Sequence, residues 1–185
     1  MLADIANRIR AERGLTSEVP DFDPNNGNEQ AKYLFLLEAP GAKAVKSGFI
    51  SLDNPDQTAA NFRQFLEEAG IDRSEIALWN IVPWYIGNKQ FSKIRAAKGS
   101  DVAMGCTYVR DICKEIKNLK AIILVGSAAR KAHVHLSTFC DCRIYSIHHP
   151  SPRVMNSSER RNENLQALKF IKENFSEPDA RLAHG

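Results

Sequence analysis

The sequence predicts an α/β fold, a three-layer αβα sandwich with a central four-stranded parallel sheet. Three observations carry this. Four short apolar runs, at 32–37, 76–82, 121–125 and 143–147, stop at turn-forming or polar residues. Stretches with helical spacing of apolar residues precede, separate and follow them. The resulting order α-β-α-β-α-β-α-β-α contains no repeat, and such alternation reads as a parallel sheet with helices on both faces. A length of 185 residues points to one domain over 1–185, with a frayed polar tail over about 176–185. A chain of that length buries roughly 70% of its unfolded surface, enough for a core without disulfide staples.

Each element has a local reason. Leu2, Ile5, Ala6 and Ile9 recur at i, i+3, i+4 and i+7, so a helix covers 2–12 and Gly14 ends it. Residues 19–30 are rich in Pro, Asn, Asp and Gly and read as a loop. Tyr33-Leu34-Phe35-Leu36-Leu37 suits a strand covered on both faces, stopped by Glu38-Ala39-Pro40-Gly41. A long polar loop is expected over 42–57. A helix over 58–69 follows, with Ala59, Phe62, Phe65, Leu66 and Ala69 inward and Gly70 at its end. Pro83 cuts the second strand, and 85–100 reads as another long loop. Val102, Cys106, Val109, Ile112, Cys113 and Ile116 mark a helix over 101–117. Gly126 ends the third strand, and Ser127 can cap a short helix after it. His148-His149-Pro150 ends the fourth strand, and a last helix covers 158–174 with Glu159 in its first turn.

Composition narrows the class. Hydrophobic residues at 43% and charged residues at 25% exclude a disordered, collagenous or coiled-coil chain. The longest clean apolar run is five residues, from Ala121 to Val125, against about 20 for a spanning helix, so no membrane partner is expected. Residues 1–13 mix Asp4, Arg8, Arg10, Glu12 and Arg13 with apolar positions, so no secretory leader is read there. The expected location is cytoplasmic and the expected state a monomer. Four cysteines, Cys106, Cys113, Cys140 and Cys142, stand seven, 27 and two residues apart. Zinc and iron–sulfur sites use closer knuckles such as C-x2-C, so these read as reduced, partly buried thiols. His133 and His135 diverge on a helix, and His148 and His149 point apart on a strand end. Neither a metal nor another cofactor is expected.

In sheets of this type ligands bind outside the carboxyl ends of the strands, where strand order reverses. Three of those ends carry polar residues. Glu38 follows a five-residue apolar run. Asn80 sits inside Leu78-Trp79-Asn80-Ile81-Val82, a segment otherwise suited to burial. A buried Asn needs partners for its carbonyl and its amide, so it either caps a neighbouring loop or reads a ligand. His149 precedes Pro150 and is held extended by it. Each alone has an ordinary structural explanation. Their convergence at one end of one sheet points to a site.

These segments resemble a known family. Leu37-Glu38-Ala39-Pro40-Gly41 is similar to the first motif of the uracil-DNA glycosylase superfamily, nearest the GEAPG form of its iron–sulfur, thermostable branch. His149-Pro150-Ser151-Pro152-Arg153 resembles the second motif, nearest the HPSPL of the founding branch and the HPSPR of the single-strand-selective branch. Trp79-Asn80-Ile81-Val82-Pro83 looks like the strand whose Asn reads the uracil edge. Residues 122–127 followed by a helix fit the family's third strand and turn. The resemblance spans about 32–172, and the two motifs stand about 110 residues apart in the family's order. There are departures. Ala39 stands where the founding branch has an Asp, Leu37 replaces the usual Gly, and 42–57 lacks the family's glycine-rich wording. No Cys precedes Cys106, so the cluster of the thermostable branch is not implied.

The resemblance implies a monofunctional DNA N-glycosylase of base excision repair, acting on DNA that contains uracil or a related damaged base. Glu38 and His149 would be catalytic, His149 donating a hydrogen bond to the uracil oxygen as charge develops there. The Glu38–Gly41 turn would position or activate water. Ala39, Pro40, Gly41, Phe49 and Asn80 would hold the base, Phe49 by stacking and Asn80 by pairing with its edge and excluding cytosine. Ser127, Ser151, Pro152 and Arg153 would contact DNA, the serines at phosphates and Arg153 as the intercalating residue.

A non-catalytic nucleic-acid-binding protein of the same fold would bind with strong salt dependence and release no base. A glycosylase for hypoxanthine or xanthine is the third reading. A small-nucleotide enzyme using Gly126-Ser127 lacks a fuller glycine-rich fingerprint. No lysine is placed as a Schiff-base nucleophile, so lyase chemistry is not expected. The net charge of +3 says little in bulk. Its distribution says more: Lys89, Lys93, Arg95 and Lys98 follow the Asn80 strand without an acid among them, Lys43 and Lys46 follow Glu38, and Arg153 follows the His-Pro motif. Positive charge gathers at the site end, as a phosphate-tracking surface requires.

Overall fold

The computed structural model describes residues 1–175, so the expected tail over 176–185 lies outside the described residues. The chain runs α1 (Leu2–Arg13), β1 (Asp21–Phe22), β2 (Tyr33–Leu37), α2 (Ala42–Ser47), β3 (Phe49–Ile50), α3 (Gln57–Ala69), β4 (Ile76–Asn80), α4 (Gly99–Glu115), β5 (Ala121–Val125), α5 (Ser127–Arg130), α6 (His133–Leu136), β6 (Arg143–Ile147), α7 (Pro152–Met155) and α8 (Ser158–Phe175). The main sheet is four-stranded and wholly parallel, in the order β4-β2-β5-β6. β2 lies inside it, with Tyr33 opposite Ile76 on one side and Ala121 on the other. Leu34, Phe35, Leu36, Ile122 and Ile123 are fully enclosed, which explains the unbroken apolar runs. Each such side chain contributes about 1.5–3 kcal/mol by leaving water.

Strand order explains the layers. The chain moves from β2 to the β4 edge, then crosses back to β5 and on to β6. Right-handed crossovers therefore put α3 on one face and α4 on the other. α8 packs with α3, whereas α1 and α6 pack with α4. The expected αβα sandwich is thus the observed fold.

Local differences have physical causes. Residues 42–57 are not one loop: Ala44 and Val45 bury an apolar pair that turns 42–47 into α2, and β3 follows. Residues 19–30 contain β1, which pairs in parallel with β3 in a separate two-stranded sheet. Phe22 on β1 stacks on Trp79 at a centroid distance of 4.0 Å, fixing this small sheet beside β4. The β4 ladder ends at Asn80, although Ile81 and Val82 still donate to the carbonyls of Leu37 and Glu38 at 2.8 and 2.9 Å. A one-turn helix, α7, starts at Pro152, whose fixed φ suits the first helical position. Among the described residues no helix is long and apolar enough to cross a membrane.

Candidate active site

A cavity of about 370 Å³ opens at the carboxyl ends of the strands. That is the size range of small-ligand sites. Its walls come from four places: Leu37 and Ala39–Ala44 after β2, Ile50–Leu52 around β3, the start of α3 with Asp56, Thr58, Ala59 and Phe62, and Leu78 with Asn80 on β4. His149, after β6, completes it. Alternation along β4 puts Leu78 and Asn80 on the cavity side and turns Trp79 the other way, onto Phe22.

Asn80 is 3% exposed, and its Oδ1 has no hydrogen-bond partner among the described residues. Buried polar atoms are almost always paired, so an orphaned amide oxygen on a cavity wall is a waiting acceptor for an N–H donor. The loop-capping explanation for this Asn therefore has no partner to support it.

His149 sits at the mouth, open to solvent on the cavity side. Three devices hold its segment. Asn164 of α8, fully buried, accepts the His148 N–H on Oδ1 at 2.7 Å and donates from Nδ2 to the His148 carbonyl at 3.0 Å. Asn61 of α3, also buried, donates to the Pro150 carbonyl at 3.0 Å and is itself oriented by Gln57 at 2.8 Å. Gly126, at φ +89°, passes so close that an added Cβ would stand 3.0 Å from the His149 Cβ. Desolvation by surrounding protein lowers the His149 pKa below the usual imidazole value, against the opposing charges of Glu38 and Asp56. A neutral ring that donates one hydrogen bond is thereby favoured at neutral pH.

The structure separates some expected site residues from the cavity. Ala39, Pro40, Gly41, Asn80 and His149 line it. Glu38 does not: its carboxylate accepts the Ala97 N–H at 2.7 Å and ties the β2 turn to the loop before α4. Phe49 does not either. It is 38% exposed, while its strand neighbour Ile50 faces inward, as alternation requires. Phe62, set edge-on to Phe35, is the aromatic ring in the cavity wall. Ser127, Pro152 and Arg153 are exposed and Ser151 is half-buried; Ser127 and Ser151 stand next to the Gly126 and Pro150 positions that frame His149. Asp56, Thr58 and Phe62 were missed as site residues. Their signal was the helix start itself, because the N-terminus of α3 points to the same end of the sheet as the strand ends.

The cysteines divide differently from their spacing. Cys106 is buried in α4, and its thiol pKa is pushed up to about 11 by desolvation. The Cys140 thiol lies beside those of Cys113 and Cys142, and the Cys113 contact pushes it up to about 12. Such thiols stay protonated and unreactive. Among the described residues no group of three or more His, Cys, Asp or Glu side chains is arranged to hold a metal ion.

A profile of the Uracil DNA glycosylase superfamily matches residues 24–171, which include β2, β4, β5, β6 and every wall of the cavity. The chain belongs to the uracil DNA glycosylase superfamily. Thirty-six solved chains also match. One is the solution structure of a "putative Uracil DNA glycosylase" from Methanosarcina acetivorans, 14% identical, with a TM-score of 0.54, covering 78% of this chain and 92% of that one. At that identity the likeness shows a shared fold. No curated protein matches the sequence.

Proposed function

We propose that the protein is a monofunctional DNA glycosylase that takes uracil out of the duplex stack and hydrolyses its N-glycosidic bond. One observation carries this reading: the orphaned Asn80 Oδ1 on the wall of a cavity with room for a base, which His149 also lines. Uracil offers an N–H donor flanked by carbonyl oxygens. Asn80 can accept from that N–H through Oδ1 and donate through Nδ2 to a neighbouring oxygen. Cytosine presents a lone pair where uracil presents the N–H, which leaves the buried Asn oxygen unpaired and costs affinity.

Bond cleavage puts positive charge on the sugar and negative charge on the departing base. Neutral His149 donates to the base oxygen where that negative charge gathers, and such a donor is worth about 10²–10³ in rate. The Glu38–Gly41 turn, whose last three residues form the cavity wall, positions the attacking water. Lys43 lines the cavity, and exposed Lys46, Lys89, Lys93, Lys98 and Arg153 lie in the segments that follow β2, β4 and β6, which suits a phosphate backbone. Ser127 and Ser151 fit phosphate contacts, and Arg153 fits the gap left by the extruded base.

The test is base release from oligonucleotides carrying a single uracil, hypoxanthine, xanthine or mismatched base, single- and double-stranded. Release from uracil substrates, weakened by Asn80→Ala and His149→Ala, is expected. Salt-dependent binding with no release from any substrate would instead identify a binding protein of the same fold.

A further inference from the structure

We propose that Asp56, and not Glu38, is the carboxylate that takes the proton from the attacking water. This rests on the glycosylase reading above and deepens it. Asp56 lines the same cavity as Asn80 and His149. Glu38 lies outside the cavity lining, and its Oε1 is engaged by the Ala97 N–H at 2.7 Å. Both charges act on His149, so both lie close to the reacting end of the sheet. Only one of them faces the space where a base and a water can meet.

The local structure also explains why Asp56 is held there. It is the N-cap of α3, in extended conformation, with Oδ1 accepting the Ala59 N–H at 2.9 Å. That bond fixes one oxygen of the carboxylate and leaves Oδ2 without a hydrogen-bond partner among the described residues. Neighbouring Pro55 and Asn54 stiffen the approach to the helix, with Asn54 donating to the Phe49 carbonyl at 3.1 Å.

The step balances without a further reactant. The water oxygen bonds to the sugar C1′, and its proton passes to Asp56. The C1′–N1 bond breaks, and its electron pair leaves with the base as an anion held by His149. The Asp56 proton is then returned to the released base or to solvent. Glu38 becomes a positioning residue: its bond to Ala97 holds the lysine-bearing loop 87–98 beside the site.

Two isosteric variants test this. Asp56→Asn keeps a good N-cap, so α3 and the fold persist. Glu38→Gln keeps an acceptor for the Ala97 N–H. Single-turnover release of uracil is measured with enzyme in excess, alongside oligonucleotide affinity by fluorescence anisotropy and the unfolding midpoint. The expected result is a loss of about 10²–10⁴ in the release rate for Asp56→Asn, with affinity and midpoint unchanged. Its loss exceeds that of Glu38→Gln, which acts only by position, by at least roughly tenfold. Wild-type release by Asp56→Asn, or a larger loss in Glu38→Gln, overturns the assignment while leaving the glycosylase reading intact. Failure of the unaltered protein to release uracil defeats both.

Discussion

Asn164→Ala removes the clamp on the backbone next to His149. Asn164 is fully buried and makes two hydrogen bonds to one residue, at 2.7 and 3.0 Å to the N–H and carbonyl of His148. Leaving a buried backbone group unpaired costs about 1–3 kcal/mol. Two such groups, with some water reaching half-buried His148, give a loss of about 2–5 kcal/mol. For a domain of this size each kcal/mol lowers the midpoint by roughly 2–4 °C, so a fall of roughly 4–20 °C is expected. The clamp also sets where the His149 ring stands. A displacement of about 1 Å at a reacting group costs on the order of 10²-fold in rate. Urea unfolding reads the first effect, and single-turnover uracil release at a temperature where the variant is fully folded reads the second. A variant with wild-type stability and wild-type release would refute the claim that α8 positions the histidine.

Other expectations follow from the same geometry. Gly126→Ala places a side chain at φ +89° and 3.0 Å from the His149 Cβ, so it should cost about 1–3 kcal/mol and slow release, both measurable on one preparation. Gly105→Ala would set its Cβ 1.8 Å from the Ile81 carbonyl, so α4 must move off the end of β4 and the unfolding midpoint should drop, with the site altered only through Asn80. The lowered His149 pKa gives a signed pH dependence. The unfolded chain binds that proton more readily than the folded one, so the His149 contribution to stability is full above the unfolded value of 6.5 and is lost as pH falls through the depressed folded value. Uracil release should fall over the same acid range as the neutral donor is lost; a profile flat from neutrality to strongly acid pH would show that His149 does not act in neutral form.

The main sheet was legible because enclosure on both faces leaves a simple trace. Leu34, Phe35, Leu36 and Ile122–Leu124 are apolar without interruption because nothing polar fits between two helical layers. Asn80, a polar break in that pattern, stood out for the same reason, and His149 stood out by its place after β6 before Pro150; both line the cavity. Short elements left little trace. α2 depends on two buried residues, Ala44 and Val45, and β1 and β3 on two residues each, so their stability comes from packing against β4 rather than from sequence period. Phe49 shows the consequence. An aromatic residue suggested a stacking platform, yet a strand turns every second side chain away, and Ile50 took the inward place. Glu38 shows another limit: sequence marks a carboxylate at a strand end, but not which backbone N–H it will meet. Asp56 was hidden in plain use as a helix cap.

The central claim is that the cavity bounded by Asn80 and His149 receives a uracil base and releases it by hydrolysis. Its most direct test is a mass balance on a uracil-containing oligonucleotide incubated with excess unaltered protein. Free uracil and abasic sites are expected in equal amounts, with no strand cleavage until alkali or heat is applied. An intact oligonucleotide, bound but with no free base, would contradict it.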